Sequence, residues 1–255
     1  MSVARTRSWW SVLCVAGGCV VLACMLDGRV GAEGLPPGLD PTKALTQLGL
    51  DTWTTDHGLP SATVTAVRET RDGYVWLATY DGLARFDGTR FAVFTQADGL
   101  GNNGLRALCE DREGGLWIGT NGGGVSRLSR GRIRRFTTAD GLPSEIVWSL
   151  HADVRDGSVW MGTNGGGLAR WRKGRIERFD PNASGRTVAA IAQSPDGTLW
   201  LATQADGLRR LAPDGTFTTY TTGDGLPGGL VAGVAVGRHG ELWVATSAGL
   251  ALLRD

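Results

Sequence analysis

The chain has 255 residues, with 26 Lys and Arg against 25 Asp and Glu, 40 glycines and four cysteines. Because the charges nearly cancel, the sequence excludes nucleic acid as an expected partner, since that binding depends on an excess of Lys and Arg. Three cysteines, Cys14, Cys19 and Cys24, lie within the first 32 residues. Cys109 therefore has no disulfide partner in the rest of the chain, and we expect it to be buried as a small apolar residue.

The first 32 residues have the pattern of a secretory signal peptide. Arg5 and Arg7 precede an apolar run at 9–26, and residues 30–32 (VGA) are small, as a cleavage site requires. Two alternatives remain open: residues 21–24 (VLAC) form a loose lipobox that would place a lipid on Cys24, and the apolar run is just long enough for an uncleaved membrane anchor. All three interpretations predict a periplasmic or otherwise extracytoplasmic domain that touches the membrane only through this segment.

Residues 33–46 are rich in Gly and Pro and are predicted to be a linker. From residue 47 to residue 255 the chain consists of a repeat of about 40 residues. Each copy is marked by one tryptophan, and these are Trp76, Trp117, Trp160, Trp200 and Trp243. We expect each of these tryptophans to pack between neighbouring structural units.

The second copy shows how the repeat is built. Four runs of β-type residues, at 105–109, 116–120, 125–128 and 133–138, are separated by turns that contain glycine. No sustained 3.6-residue apolar period follows residue 47, so helices are not expected there. Four short strands in every copy predict an all-β fold, a β-propeller of four-stranded blades with five repeats.

One predicted outer strand, at residues 50–55, stands before the first complete copy, and the last copy stops after its third strand at 249–253. We expect these two segments to pair and to close a ring of five blades, because pairing would remove two free sheet edges. The alternative is an open arc that corresponds to part of a larger propeller.

Three stretches carry a family resemblance: residues 51–60 (DTWTTDHGLP), 70–88 (TRDGYVWLATYDGLARFDG) and 113–120 (EGGLWIGT). They resemble the two-component regulator propeller repeats, and the resemblance covers residues 39–255. It implies an extracytoplasmic sensor domain. In that family a propeller, typically seven-bladed, precedes a β-sandwich, a transmembrane helix and a cytoplasmic histidine kinase or diguanylate cyclase. The resemblance therefore implies an N-terminal fragment or a short form without an output module.

In a propeller, the loops that enter the first strands share one face with the loops that join the second and third strands. Here these loops carry carboxylates, amides and two aromatic residues, namely Tyr80, Asp81, Asn102, Asn103, Asn121, Asp140, Glu145, Trp148, Asn164 and Gln204. This mixture suits a carbohydrate or another small polar ligand. The alternative is structural, because Asp and Asn are also the residues that turns prefer.

The outer strands of the second and third copies are basic. The cations concerned are Arg127, Arg130, Arg132, Arg134, Arg135, Arg170, Arg172, Lys173, Arg175 and Arg178. The simplest interpretation is a solvated surface whose charges discourage edge pairing. The alternative is a docking surface for a partner or for anionic lipid.

No catalytic motif stands out, because His57, His151 and His239 are scattered and no Ser-His-Asp, HExxH or P-loop spacing is present. We therefore predict a non-catalytic, ligand-binding module with no metal site and no cofactor. A membrane sensor kinase or cyclase is its expected protein partner. Two alternatives are a protein-interaction scaffold and a propeller enzyme of the streptogramin-lyase type.

Overall fold

A computed structural model describes residues 13–15, 18–20, 49–153, 155–179 and 185–254. Near the N-terminus, strand β1 (Leu13–Val15) pairs antiparallel with β2 (Gly18–Val20). The rest of the predicted signal peptide, the lipobox cysteine and the predicted linker lie outside the described residues. Among the described residues, no helix is long and apolar enough to cross a membrane.

Residues 64–253 form five consecutive antiparallel sheets, which we call blades 1 to 5. Blade 1 consists of β3 (Val64–Glu69), β4 (Val75–Thr79), β5 (Leu83–Phe86) and β6 (Phe91–Phe94). Blade 2 consists of β7 (Leu105–Glu110), β8 (Leu116–Thr120), β9 (Val125–Ser129) and β10 (Arg132–Phe136). Blade 3 consists of β11 (Val147–Ala152), β12 (Val159–Thr163), β13 (Gly167–Arg172) and β14 (Arg175–Arg178). Blade 4 consists of β15 (Val188–Gln193), β16 (Leu199–Thr203), β17 (Leu208–Leu211) and β18 (Phe217–Tyr220). Blade 5 consists of β19 (Val231–Val236), β20 (Leu242–Thr246) and β21 (Gly249–Leu253). The prediction of an all-β propeller is confirmed, with four strands in each of blades 1 to 4 and three described strands in blade 5.

Short 3-10 helices, which the sequence interpretation did not include, enter the first strands of four blades. They span Thr55–His57, Gln96–Asp98, Thr138–Asp140 and Thr222–Asp224. Each is preceded by a capping threonine whose hydroxyl accepts a backbone N–H, and each ends at a glycine in the left-handed conformation. One turn is too short to show a 3.6-residue apolar period, which is why periodicity does not detect these helices.

The core lies between consecutive blades, in four apolar clusters. Four of the five second-strand tryptophans, Trp76, Trp117, Trp160 and Trp200, belong to these clusters or pack against them. Trp117 is fully buried and its ring lies 5.1 Å from that of Trp171 in the next blade. Trp160 packs with Val188 and Leu201 of blade 4. Among the described residues, none of the four clusters joins blade 5 to blade 1.

The predicted pairing of residues 50–55 with Gly249–Leu253 is wrong. Residues 49–54 form no strand, and β21 pairs only with β20 among the described residues. Leu50 is 81% exposed, whereas Trp53 packs edge-on against Phe86 of blade 1, with ring centroids 5.0 Å apart. The contact between Trp53 and Phe86 is local in sequence, whereas pairing with β21 would join segments almost 200 residues apart, at a greater cost in chain entropy. The described residues therefore contain no closed five-blade ring held by this strand.

Candidate functional site

Two sets of loops meet on one side of the propeller, which we call the loop face. It comprises the loops between second and third strands, at 80–82, 121–124, 164–166, 204–207 and 247–248, and the described entry loops, at 54–63, 95–104, 137–146, 185–187 and 221–230. Backbone hydrogen bonds join loops of consecutive blades. Asn121 N donates to Gly104 O at 2.8 Å, and Asn164 N donates to Ile146 O at 2.9 Å. The predicted shared face is therefore present.

Several of the predicted site residues hold these loops in shape. The side-chain oxygen of Asn102 accepts a hydrogen bond from Gly104 N at 2.7 Å, and that of Asn103 accepts one from Gln96 N at 2.8 Å. Three more of the predicted residues accept a hydrogen bond through a side-chain oxygen. Asp140 accepts from Thr137 N at 2.9 Å, Glu145 from Thr138 N at 2.7 Å, and Asn164 from the Thr187 hydroxyl at 2.8 Å. These contacts give all five residues a structural role in turns.

Three other predicted residues differ from one another in their exposure to solvent. Asp81 and Asn121 are exposed on the loop face, and Gln204 is half-buried. Gln204 is tied to the next loop through its backbone, whose N–H donates to Thr187 O at 3.2 Å. The side chains of Asp81 and Asn121 are thus available to solvent at the rim of the face.

Every first strand carries a β-bulge after its first residue, at the end nearest the loop face. A bulge turns one side chain out of the regular alternation and often lies beside a functional site. The five bulged residues are Thr65, Arg106, Trp148, Ala189 and Ala232. Thr65 is used internally, because its hydroxyl donates to Ala78 O at 3.1 Å and to Leu105 O at 2.9 Å.

Arg106 and Trp148 form the most distinctive group on the loop face, together with Tyr80. The Arg106 guanidinium carbon lies 5.5 Å from the centre of the Tyr80 ring and 5.6 Å from the centre of the Trp148 ring. Both distances are within the range of cation–π attraction. Tyr80 is 44% exposed. One side chain from each of blades 1, 2 and 3 therefore converges at this point.

Two hydrogen-bond donors in this group lack an acceptor. Arg106 Nε and Trp148 Nε1 are both buried, with no partner among the described residues. An unpaired buried donor costs about 1–3 kcal/mol, so such atoms are uncommon unless something else binds there. The arrangement offers two aromatic faces, a positive charge and two N–H groups to a ligand with oxygen acceptors.

The sequence identified Tyr80 and Trp148 as site residues, and the structure brings them together. It did not identify Arg106, which lies between them. A position-by-position comparison of the five copies could have found it, because the equivalent residues are Thr65, Trp148, Ala189 and Ala232 and only one copy has a cation there.

The histidines and Cys109 do not form a reactive centre. His151 Nε2 lies 3.1 Å from Gln193 Oε1, and burial lowers the pKa of His151 although this hydrogen bond opposes the shift. His57 Nδ1 accepts from Thr54 N in a helix cap, and His239 lies in a turn. Cys109 is buried as predicted, and burial raises its pKa to about 12, so the reactive thiolate does not form at neutral pH. In the part of the chain that the structure describes, no group of three or more His, Cys, Asp or Glu is placed to hold a metal ion.

A largely buried ionic network lies on the opposite side, where Asp111 directly follows the first strand of blade 2 and Arg127 lies on the third. Asp111 accepts hydrogen bonds from Arg127 Nε at 2.7 Å, Trp117 Nε1 at 2.7 Å and Gly115 N at 2.8 Å. Burial alone would raise the pKa of Asp111, but these hydrogen bonds and the Arg127 charge outweigh it and lower the pKa. The network anchors Trp117 and is therefore structural.

Two segments, residues 58–81 and 99–122, match the family described as two component regulator propeller. These two segments are therefore similar to two component regulator propeller repeats. No curated protein matches it in sequence.

Among solved structures, this propeller is similar to one named the extracellular domain of the hybrid two component system BT3049 from B. thetaiotaomicron. The identity is 20% and the TM-score 0.65, over 75% of this chain and 28% of the other. The extracellular domain of the one component system BT4673 of the same organism gives 22% and 0.64, over 74% and 27%. A streptogramin B lyase gives 17% and 0.60, over 77% and 70%. At these identities the likeness shows the fold alone, and the chain spans just over a quarter of the length of the first two structures.

Proposed function

We propose that this propeller is a non-catalytic, extracytoplasmic sensor domain that binds a small polar ligand on the loop face. The observation that carries the proposal is Arg106, which lies between the rings of Tyr80 and Trp148. Buried donors of Arg106 and Trp148 have no acceptor among the described residues. The family of the repeats supports the sensor role, and two similar structures are named as extracellular domains of signalling systems.

The chemistry of the group favours a hydroxyl-rich ligand such as a carbohydrate. Aromatic faces pack against the apolar faces of sugar rings, and N–H donors pair with sugar oxygens. The exposed side chains of Asp81 and Asn121 lie on the same face and add acceptors for hydroxyl groups. A mainly apolar ligand would leave the Arg106 and Trp148 donors unpaired.

Signalling requires a second component that responds to the bound ligand. We include in the proposal a membrane sensor kinase or cyclase, because propellers with these repeats are the input domains of such proteins. Nothing in the proposal requires a catalytic residue on the propeller itself.

The experiment is a glycan array with the purified domain, followed by calorimetric titration of any glycan that binds. Arg106→Met should weaken binding about tenfold or more, because a charge-assisted hydrogen bond is lost. Arg85→Met is the matched control, since Arg85 also stacks on Tyr74 and Trp76 but lies on the third strand of blade 1. Equal losses in the two folded variants, or no binding to any glycan or polar small molecule, would contradict the proposal.

A further inference from the structure

A recess opens between blades 3 and 4 on the side opposite the loop face, where hairpin turns join first to second and third to fourth strands. We call this side the turn face. The recess measures about 410 Å³, and its wall includes Trp160, Arg170, Phe179, Leu199, Leu211 and Pro213. A second recess of about 480 Å³ shares Arg170 and is lined by Arg170, Arg172, Lys173, Arg175 and Glu177. The two recesses therefore adjoin at Arg170.

Trp160, which lines the first recess, differs from three of its four counterparts in the hydrogen bond of its indole nitrogen. In three other blades the indole Nε1 donates to a side chain six residues earlier, in the pairs Trp76–Thr70 at 3.0 Å, Trp117–Asp111 at 2.7 Å and Trp200–Ser194 at 2.8 Å. In blade 3 the residue six positions earlier is Val154, whose side chain has no acceptor. Trp160 is only 5% exposed, and its Nε1 is buried without a hydrogen-bond partner among the described residues.

Arg170 supplies a second unpaired donor at the same place. Its guanidinium carbon lies 5.2 Å from the Trp160 ring centre and 4.8 Å from that of Phe179. Nη2 pairs with Glu177 at 3.3 Å, whereas Nε is buried with no partner in the part of the chain that the structure describes. Stacking on two rings fixes the guanidinium in one orientation, which favours recognition of a planar or tetrahedral anion.

The charge around the recesses is positive. The five cations that line them are Arg155, Arg170, Arg172, Lys173 and Arg175, against the three carboxylates Asp153, Asp156 and Glu177. Arg172 lies 3.5 Å from Asp156. Lys173 and Arg175 are exposed, and Lys173 occupies the hairpin tip with a left-handed φ of 48°, a conformation that a non-glycine residue rarely adopts.

We propose that the two adjoining recesses form a binding site for a soluble ligand that carries oxyanion groups, such as carboxylate, sulfate or phosphate. The anionic oxygens would accept hydrogen bonds from Trp160 Nε1 and Arg170, and Lys173 and Arg175 would balance the remaining charge. A soluble ligand fits better than a membrane, because Trp160 Nε1 and Arg170 Nε are both buried atoms that a flat surface would not reach. The site lies on the turn face and is independent of the proposed ligand site on the loop face.

The test is calorimetric titration of the full chain with sodium sulfate, sodium phosphate and sodium citrate, each against sodium chloride of equal ionic strength. Saturable binding of at least one anion is expected. Arg170→Gln should weaken it about tenfold or more, because a charge-assisted contact is removed. Trp160→Phe, which keeps an aromatic ring but removes the donor, should weaken it about threefold or more.

Arg134→Gln is the matched control, because it removes one exposed charge from β10 of blade 2, which does not line either recess. It should change the affinity less than about twofold. The proposal is overturned if no anion binds saturably, or if Arg134→Gln weakens binding as much as Arg170→Gln. It is also overturned if the protein binds vesicles that contain phosphatidylglycerol but none of the three soluble anions. Thermal melting shows whether both recess variants fold. If Trp160→Phe does not fold, the binding of the Arg170→Gln variant decides the test.

Discussion

Trp117, one of the repeated tryptophans, is fixed both by packing of its ring and by a hydrogen bond from its indole nitrogen. Trp117 is fully buried, its ring lies 5.4 Å from that of Phe136, and its Nε1 donates to Asp111 at 2.7 Å. Trp117→Ala should therefore lower the free energy of unfolding by about 3–5 kcal/mol, a large part of the roughly 5–15 kcal/mol of a typical domain. Urea denaturation measures this loss, and unfolding at the wild-type midpoint would contradict the inter-blade role.

Trp53→Ala is the control for that measurement. Trp53 is 45% exposed and stacks only on Phe86 among the rings of the described residues. Its loss should cost about 1 kcal/mol, close to the value of one aromatic pair.

His151 predicts a pH dependence of stability. Burial lowers its pKa in the folded protein below the usual 6.5, with Arg68 adding to the shift and Gln193 and Asp153 opposing it. Below pH 6.5 the unfolded chain binds a proton that the folded protein resists, so stability is full above that pH and falls as the pH decreases through about 6.5 to 5.5. Thermal melting at these pH values should show the fall in wild type, and His151→Gln should reduce it. An unchanged slope in the variant would assign the effect to other groups.

The 3-10 entry helices repeat one capping device. Thr137 accepts from Ala139 N, and Asp140 accepts from Thr137 N at 2.9 Å. Thr137→Ala should lower the free energy of unfolding by about 0.5–2 kcal/mol, the usual cost of a lost N-cap. Thr63→Ala, at an exposed loop position, should stay within about 0.5 kcal/mol in the same urea titration. Equal effects of the two changes would argue against the cap.

The predicted strand ends in blade 2 were accurate where a local turn sets them and inaccurate where a capping threonine leaves the sheet. The second strand of blade 2 was predicted at 116–120 and is found there, because its ends are set by a local turn and a glycine run. The fourth strand was predicted to reach residue 138 but ends at Phe136, because Thr137 leaves the sheet to cap a helix. The spacing of Thr137 and Asp140 was present in the sequence as a capping signature, so this boundary could have been predicted.

The candidate site was only partly predictable, for a physical reason. The loop positions of Tyr80 and Asn121 follow from the repeat alone, because each copy supplies the same turn. The meeting of Tyr80, Arg106 and Trp148 depends instead on a bulge in each first strand and on the packing of three consecutive blades. Those relations are long-range, and nothing local in the sequence specifies them.

The unpaired edges at the two ends of the described propeller give a prediction for the whole molecule. Residues 49–53 pair with no strand, and β21 has a free edge among the described residues. Because this segment does not pair with β21, deleting residues 49–53 removes little more than the contact between Trp53 and Phe86. The deletion should then lower the free energy of unfolding by less than about 2 kcal/mol, similar to Trp53→Ala.

Ring closure would give a different result, because a strand that joins the first and last blades contributes to the stability of both. Its removal would uncover an apolar blade and cost about 4 kcal/mol or more, as removal of buried core side chains does. Urea denaturation of the wild type, the deletion and Trp53→Ala under the same conditions separates these outcomes. A loss much larger than that of Trp53→Ala, or aggregation of the deletion variant alone, would show that residues 49–53 pair in solution. A loss equal to that of Trp53→Ala would show that the blades are held by their consecutive interfaces, which is the arrangement that the four core clusters predict.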